Sequence, residues 1–275
     1  MALAPRHARS WLFTPADRPD RYPRGDSHGA DAVVLDLEDA VAPDRKVLAR
    51  SHLTRPGAVG TPVWVRINDR TSDHWRDDLE AVAGLPALDG VMLPKAEHAE
   101  QVAATAALLP AGTPVLALIE TSLGIENAFT IARETATFAL AFGVADFRRE
   151  TGLGDVPEAW AYPRTRLVIA SRAAGLRGPI DGPSMRLDDT AAVRTEAEKS
   201  RAGGFTGKLC VHPAQTAVVN SVYTPAPEQI SWARRVLEQA GHSEGAAVRV
   251  DGEMVDRPRL EHARDLLEFA AVTGR

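Results

Sequence analysis

The chain has 275 residues, of which 44% are hydrophobic and 25% charged, with a formal net charge of −5 and a pI near 5.9. These values exclude a disordered chain and the basic footprint of a protein that grips nucleic acid or an anionic membrane. The single cysteine, Cys210 in KLCVH, reads as a small buried apolar residue; it rules out an intrachain disulfide and a thiolate zinc site and fits a reducing cytoplasm. The start, MALAPRHARS, has no signal-like apolar core, and no stretch reaches membrane-spanning length, so a cytoplasmic protein is expected.

Eight strand-like runs follow in order: SWLFTPA (10–16), DAVVLDLE (31–38), PVWVRIN (62–68), GVMLPK (90–95), PVLALIE (114–120), FALAFGVAD (138–146), a weak GPIDGP (178–183) and GKLCVHP (207–213). They are continuously apolar rather than alternating, as strands buried on both faces are. Helical spacing fills the intervals, for example at 96–109 and 124–136, while 17–30 is proline-rich and 147–161 reads as a longer loop. This alternation predicts an α/β fold, a (β/α)8 barrel over 1–225. A helical extension and lid is expected over 226–275, with helical patterns at 227–240 and from Pro258 to Val272 around a polar, glycine-containing segment at 241–253.

In such a barrel, chemistry belongs to the C-terminal strand ends. Those ends carry Asp36, Glu38 and Asp39, then Arg66 and Asn68, Lys95, Glu120, Asp146, Asp181 and His212. Glu120 and Asp146 each close an apolar run, which suits a divalent cation held by oxygen ligands; the plainer reading is two acids favouring the helices that follow. Arg66 either pairs with Asp36 or Glu38 or grips a substrate carboxylate or enolate through its planar fork. Of the four lysines, Lys46 and Lys199 fall in helical patterns and Lys208 begins its strand at the wrong end of the barrel. Only Lys95 is therefore placed for imine chemistry, and a salt bridge with Glu38 or Glu97 is the simpler role. His212 either meets substrate or bonds the strand end. Trp11, Trp64 and Trp75 are expected to pack, and no Rossmann or P-loop glycine pattern occurs.

Taken together, RSWLFTPADRPDRY, GADAVVLDLEDAV, VRIN, MLPKAE, LIETSLGIENA, FGVADF, GFTGKLCVHPAQ and GEMVDRPRLEHA resemble the citrate lyase beta-subunit family of the HpcH/HpaI aldolase superfamily, in order along nearly the whole chain. The resemblance implies a barrel, usually homotrimeric, with Mg2+ (or Mn2+) held by Glu120 and Asp146. It also implies that Arg66 binds the small acid, and that Asp256 serves as acid/base at the acetyl carbon from a neighbouring subunit. Pyruvate-type aldolases of the superfamily carry a histidine where this chain has Asp39. Lysines that meet coenzyme A phosphates in the thioester lyases are replaced here by Arg18, Arg21 and Arg24 around Asp20.

The expected activity is thus a Mg2+-dependent carbon–carbon lyase acting on a 3-hydroxyacyl thioester of coenzyme A, such as malyl-, citramalyl-, citryl- or hydroxymethylglutaryl-CoA, to give an acetyl thioester and a small 2-oxo acid or related carbonyl compound. Asp36, Lys95 and His212 join Arg66, Glu120 and Asp146 as candidate substrate contacts. The rivals are a citrate lyase beta subunit working on an acyl-carrier protein, an aldolase for 2-oxo-3-deoxy sugar acids, and a non-catalytic scaffold. Loops at 39–45 and 147–161 are where substrate choice would be made.

Overall fold

The structure is a computed structural model and describes residues 4–22, 29–53, 61–86, 88–240, 248–250 and 252–273. The chain divides into two compact units, Met1–Tyr223 and Thr224–Arg275. In the first, eight strands close a barrel in chain order: β1 (Ser10–Pro15), β2 (Ala32–Asp36), β3 (Val63–Arg66), β4 (Gly90–Leu93), β5 (Val115–Ile119), β6 (Thr137–Phe142), β7 (Ile180–Asp181) and β8 (Gly207–Cys210). Every neighbouring pair is parallel, and β8 returns to β1. Helices α1 (Lys46–Ser51), α2 (Trp75–Ala83) and α3 (Ala99–Ala106) follow β2, β3 and β4. The pairs α4 (Ser122–Glu126) with α5 (Ala128–Arg133) and α6 (Val144–Thr151) with α7 (Pro157–Ala173) follow β5 and β6, and α8 (Thr190–Ala202) and α9 (Pro213–Tyr223) follow β7 and β8. The predicted (β/α)8 barrel is observed.

The strands are apolar at successive positions because both faces are covered; β2 and β5 are buried throughout. Alternate residues divide the wall. Val34, Met92, Leu116, Leu118, Ala139, Ala141, Ile180 and Leu209 pack inward with Trp11 and Trp64, while Val33, Leu35, Val65 and Leu93 face the helices. Trp11 and Trp64 meet edge to face at 5.3 Å, and Phe138 lies 5.0 Å from Trp64, making an aromatic floor. Gly90 belongs to this floor, since a Cβ there would collide with the Trp64 ring. Trp75 is buried too, so all three tryptophans pack as expected.

Two expectations need correction. The segment 147–161 is not one long loop: α6 runs to Thr151 and α7 begins at Pro157. Gly152, left-handed at φ 70°, stops α6, and Pro157 starts α7 at a position where its missing N–H costs nothing. Asp146 is likewise not a strand-end residue. β6 ends at Phe142, and Asp146 lies in the first turn of α6.

The second unit comprises α10 (Pro227–Ala240), an antiparallel pair β9 (Val248–Val250) and β10 (Glu253–Val255), and α11 (Arg257–Val272). Ala233, Val236, Val250, Val255, Leu260 and Ala263 form its own core. The expected segment 241–253 is described only at 248–250 and 252–253. Among the described residues, no helix is long and apolar enough to cross a membrane.

Candidate active site

The inward alternation continues past the aromatic floor to the strand ends, from Val34 to Asp36, Trp64 to Arg66 and Leu118 to Glu120. Two-residue periodicity therefore aims these three polar side chains into the mouth. Asp36 and Arg66 are register partners on β2 and β3. The Asp36 carboxylate takes the Arg66 fork in two bonds, from Nε at 2.7 Å and from the NH2 nitrogen at 2.5 Å. It also accepts the Glu38 and Ala40 backbone N–H groups, so Asp36 is consumed in shaping the loop after β2 and aiming Arg66. The remaining guanidinium nitrogen of Arg66 lies 2.9 Å from Glu38 Oε2, and the Phe13 ring lies 4.6 Å beneath the charge. Burial opposes that charge, but Asp36, Glu38 and Asp39 outweigh it and raise the Arg66 pKa. Both expected pairings of Arg66 are thus present at once.

Glu38 is nearly fully buried and bridges Arg66 to Lys95, whose Nζ is 3.1 Å from Glu38 Oε1 and 3.8 Å from Asp69. Burial pushes the Glu38 carboxyl up and Asp39 adds to this, against the pull of Arg66 and Lys95. For Lys95, burial is outweighed by Glu38, Asp69 and Glu120, and its pKa rises. An imine-forming lysine needs the opposite shift, so the salt bridge is the role the geometry supports. Sequence reasoning missed Lys46. It opens α1, but its buried Nζ reaches the Leu37 and Glu38 carbonyls and Asn68 Oδ1 at 2.6–2.8 Å. Asn68 is tied in turn to Asp78. The available signal was a lysine so close to DLED in a chain with so few.

Glu120 is 2% exposed. Among the described residues its one hydrogen bond comes from the Lys95 backbone N–H, 2.9 Å from Oε1. The other oxygen lies over Gly143, where any Cβ would collide with it. Burial raises the Glu120 carboxyl to about 8; Glu38 and Asp146 push the same way, while Arg66 and the Lys95 N–H oppose. Asp146 is partly exposed and pairs with Arg149 at 3.0 Å. No group of three or more His, Cys, Asp or Glu is arranged for a metal among the described residues. Two neighbouring carboxylates, one of them buried against its charge, nevertheless fit a hard cation that keeps most of its coordination for water and substrate.

The other expected residues are placed differently. Because Ile180 points inward, its neighbour Asp181 points out of the barrel. There it is buried between Lys208 at 3.1 Å and Arg164 at 2.9 Å, which is a correction to its expected place at the mouth. The two cations lower the Asp181 pKa against the effect of burial. His212 Nδ1 accepts the Ala214 N–H at 3.2 Å, the strand-end role. Asp256 caps α11, accepting the Arg259 N–H at 3.3 Å. Arg18 is paired with Asp20, and Arg24 lies outside the described residues.

A parallel barrel whose C-terminal mouth gathers Asp36, Glu38, Glu120 and Asp146 around a fixed guanidinium defines an enzyme of the aldolase and lyase kind. Residues 9–213 match the HpcH/HpaI aldolase/citrate lyase family, and the chain belongs to it. It is 38% identical over 268 residues to a citrate lyase subunit beta-like protein of Mycobacterium tuberculosis, covering 94% of each chain. It is 34% identical over 274 residues to a (3S)-malyl-CoA thioesterase of Cereibacter sphaeroides, covering 95% of this chain and 94% of that protein. Among solved structures, CitE from M. tuberculosis in complex with magnesium, acetoacetate and coenzyme A superposes with a TM-score of 0.78 at 36% identity. That match covers 96% of this chain and 98% of the other.

Proposed function

We propose that the chain is a Mg2+-dependent carbon–carbon lyase that cleaves a 3-hydroxyacyl thioester of coenzyme A into an acetyl thioester and a small 2-oxo acid. Citramalyl-, malyl- and citryl-CoA share the required chemistry. The observation that carries the reading is the Glu120 carboxyl, almost fully buried near Glu38 and Asp146 with one hydrogen bond among the described residues. A bound cation relieves that arrangement. Held by Glu120 and Asp146, Mg2+ would supply Lewis-acid polarisation of the oxygen that becomes the new carbonyl. The solved relative bound to magnesium, acetoacetate and coenzyme A supports the cation, the small acid and the thioester carrier.

The chain's own groups divide the remaining work. Asp36 locks one edge of the Arg66 fork, leaving the nitrogen now shared with Glu38 to meet an incoming carboxylate or enolate oxygen. As the carbonyl forms, the substrate hydroxyl gives up its proton and the electron pair of the carbon–carbon bond passes to the acetyl carbon, where Asp256 of an adjacent protomer in a homotrimer returns one proton, so none is gained or lost overall. The capping position of Asp256 at the start of α11 fixes its carboxylate on a rigid element.

A second reading, thioester hydrolysis, is favoured by the similarity to the malyl-CoA thioesterase. Product analysis separates the two. The lyase releases acetyl-CoA with pyruvate or glyoxylate, whereas the hydrolase releases free coenzyme A with the intact hydroxy acid. Incubation of the purified chain with Mg2+ and citramalyl- or malyl-CoA should give acetyl-CoA; free coenzyme A with malate or citramalate would replace the lyase reading with the hydrolase.

A further inference from the structure

Lys95 is the only described non-glycine residue with a positive φ, at 49°. That left-handed backbone is disfavoured for any side chain with a Cβ, and a residue kept there has its conformation imposed by what it touches. Here the reason is visible on both sides of the residue. The ladder to β5 resumes at Ala96, whose N–H meets the Leu118 carbonyl at 3.1 Å. Lys95 itself is turned out of the ladder, and its N–H meets Glu120 Oε1 at 2.9 Å. The same turn sends the side chain to Glu38 at 3.1 Å, and Glu38 holds Arg66 at 2.9 Å.

We propose that Lys95 is the positioning residue that joins the two halves of the mouth: its left-handed backbone amide sets the Glu120 carboxylate for the cation, and its ammonium takes the second oxygen of the Glu38 carboxylate that pairs with Arg66, drawing charge from that pair so that a substrate acid can share the guanidinium. This rests on the metal role of Glu120 proposed above. Gly143 completes the setting, since the absence of a Cβ there leaves the second Glu120 oxygen its place. The lysine is needed rather than a glycine because one residue serves both carboxylates, the first through the main chain and the second through its charge. Free Lys95 catalysis by imine formation is not part of this role.

The backbone contribution is isolated by Lys95→Gly, Lys95→Ala and Lys95→Val. All three lack the ammonium and differ in how readily they adopt the left-handed turn. Calorimetric titration of the full chain with Mg2+ alone should rank affinity Gly above Ala above Val, with Gly and Val separated by roughly tenfold or more. A merely structural role would change thermal midpoints and leave the three Mg2+ affinities equal. Should Val fail to fold, the Gly–Ala difference carries the test. The side-chain contribution is read by pyruvate binding to Mg2+-saturated protein, where Lys95→Gly should weaken binding about tenfold and Lys95→Arg should restore most of it. Equal Mg2+ affinities across the series, or unchanged pyruvate affinity in Lys95→Gly, overturn the role of Lys95. A wild-type chain that takes up no Mg2+ overturns the Glu120 reading itself, and this inference with it.

Discussion

At the base of the barrel Arg177 is half-buried, and its guanidinium is spent on main chain and a hydroxyl: Thr206 Oγ1 and O at 2.8 Å, Ala8 O at 3.0 Å and Pro5 O at 3.2 Å. Burial, with a smaller push from Arg172, brings its pKa down to about 10 against Tyr223 and Asp31. Nearby, Arg9 and Asp31 form a two-bond pair at 2.6 and 2.8 Å, and Asp31 also accepts the Arg9 N–H. At the mouth the balance is reversed. Asp36 and Glu38 meet Arg66, Lys95 and the Lys46 ammonium, and Asp146 meets Arg149, but Glu120 has no ion pair among the described residues and a single hydrogen bond. Charge at the base is matched by local partners and ties strand ends together. At the mouth the buried Glu120 carboxyl is left without a cation among the described residues, which costs stability and leaves a place for one from outside. One fold therefore uses buried charge for cohesion at one end and for chemistry at the other.

The sharpest way to break this comparison is to neutralise the mouth. Glu120→Gln or Asp146→Asn should lower turnover by about 10³-fold or more, several kcal/mol of transition-state stabilisation. Glu120→Gln should also match or exceed the wild-type thermal midpoint without metal, because a buried acid has been removed. Full activity in both variants, or its persistence after chelation, would refute the cation reading. Asp256→Asn should cost roughly 10²–10⁴-fold with Mg2+ affinity unchanged. Refolded mixtures of Asp256→Asn with Glu120→Gln subunits should regain part of the activity, since some mouths receive an intact copy of each residue. Mixtures as inactive as their parents, or sedimentation as a monomer, would exclude delivery in trans.

At the base the expected effect is on stability. Arg177→Met strands several carbonyl acceptors and should cost about 3 kcal/mol in denaturant unfolding, at roughly 1–3 kcal/mol per buried group left unsatisfied. The kcat of the folded fraction should be unchanged; a fall in kcat comparable to the mouth variants would erase the distinction between the two ends.

A smaller effect sharpens the electrostatic side. The Glu120 carboxyl is raised from an ordinary value of 4.5 to about 8. Its contribution to metal-free stability is therefore present below pH 4.5 and lost as pH rises toward 8. At about 1.4 kcal/mol per unit over about 3.5 units, the loss is on the order of 5 kcal/mol. Unfolding of the metal-free wild type should weaken relative to Glu120→Gln between pH 5 and 8, and saturating Mg2+ should remove the difference. A pH-independent gap between the two proteins would show that Glu120 is already ionised at pH 5. The smallest expected effect is none: borohydride in the presence of pyruvate should trap no adduct at Lys95, because its ammonium is held charged by Glu38 and Asp69.

Much of this was legible from the residues alone. Strand order, the closed barrel and the side chains at the inward strand ends follow from short-range patterning, because a strand buried on both faces must be apolar throughout and any acid at its end stands out. Asp36, Arg66 and Glu120 stand out in this way, and the order of motifs along the chain carries the family resemblance by itself. Arg66 remained ambiguous because a pattern cannot say whether a cation is spent on Asp36, on Glu38 or on both.

What the tertiary structure alone decided are matters of direction and of sums through space. Asp181 and Ile180 are adjacent in sequence, yet alternation turns Asp181 out of the barrel to Lys208 and Arg164, and only strand register reveals the parity. Asp146 reads as the end of an apolar run, but Gly143 breaks β6 early and gives that residue to a helix. Lys46 looks like an exposed helical lysine until its amine is found in the loop after β2. The left-handed turn at Lys95 and the raised carboxyl of Glu120 have no local signature. Each is the result of groups from β2, β3, β4, β5 and α6 brought together, and the energy of such an assembly depends on distances that a linear chain does not contain.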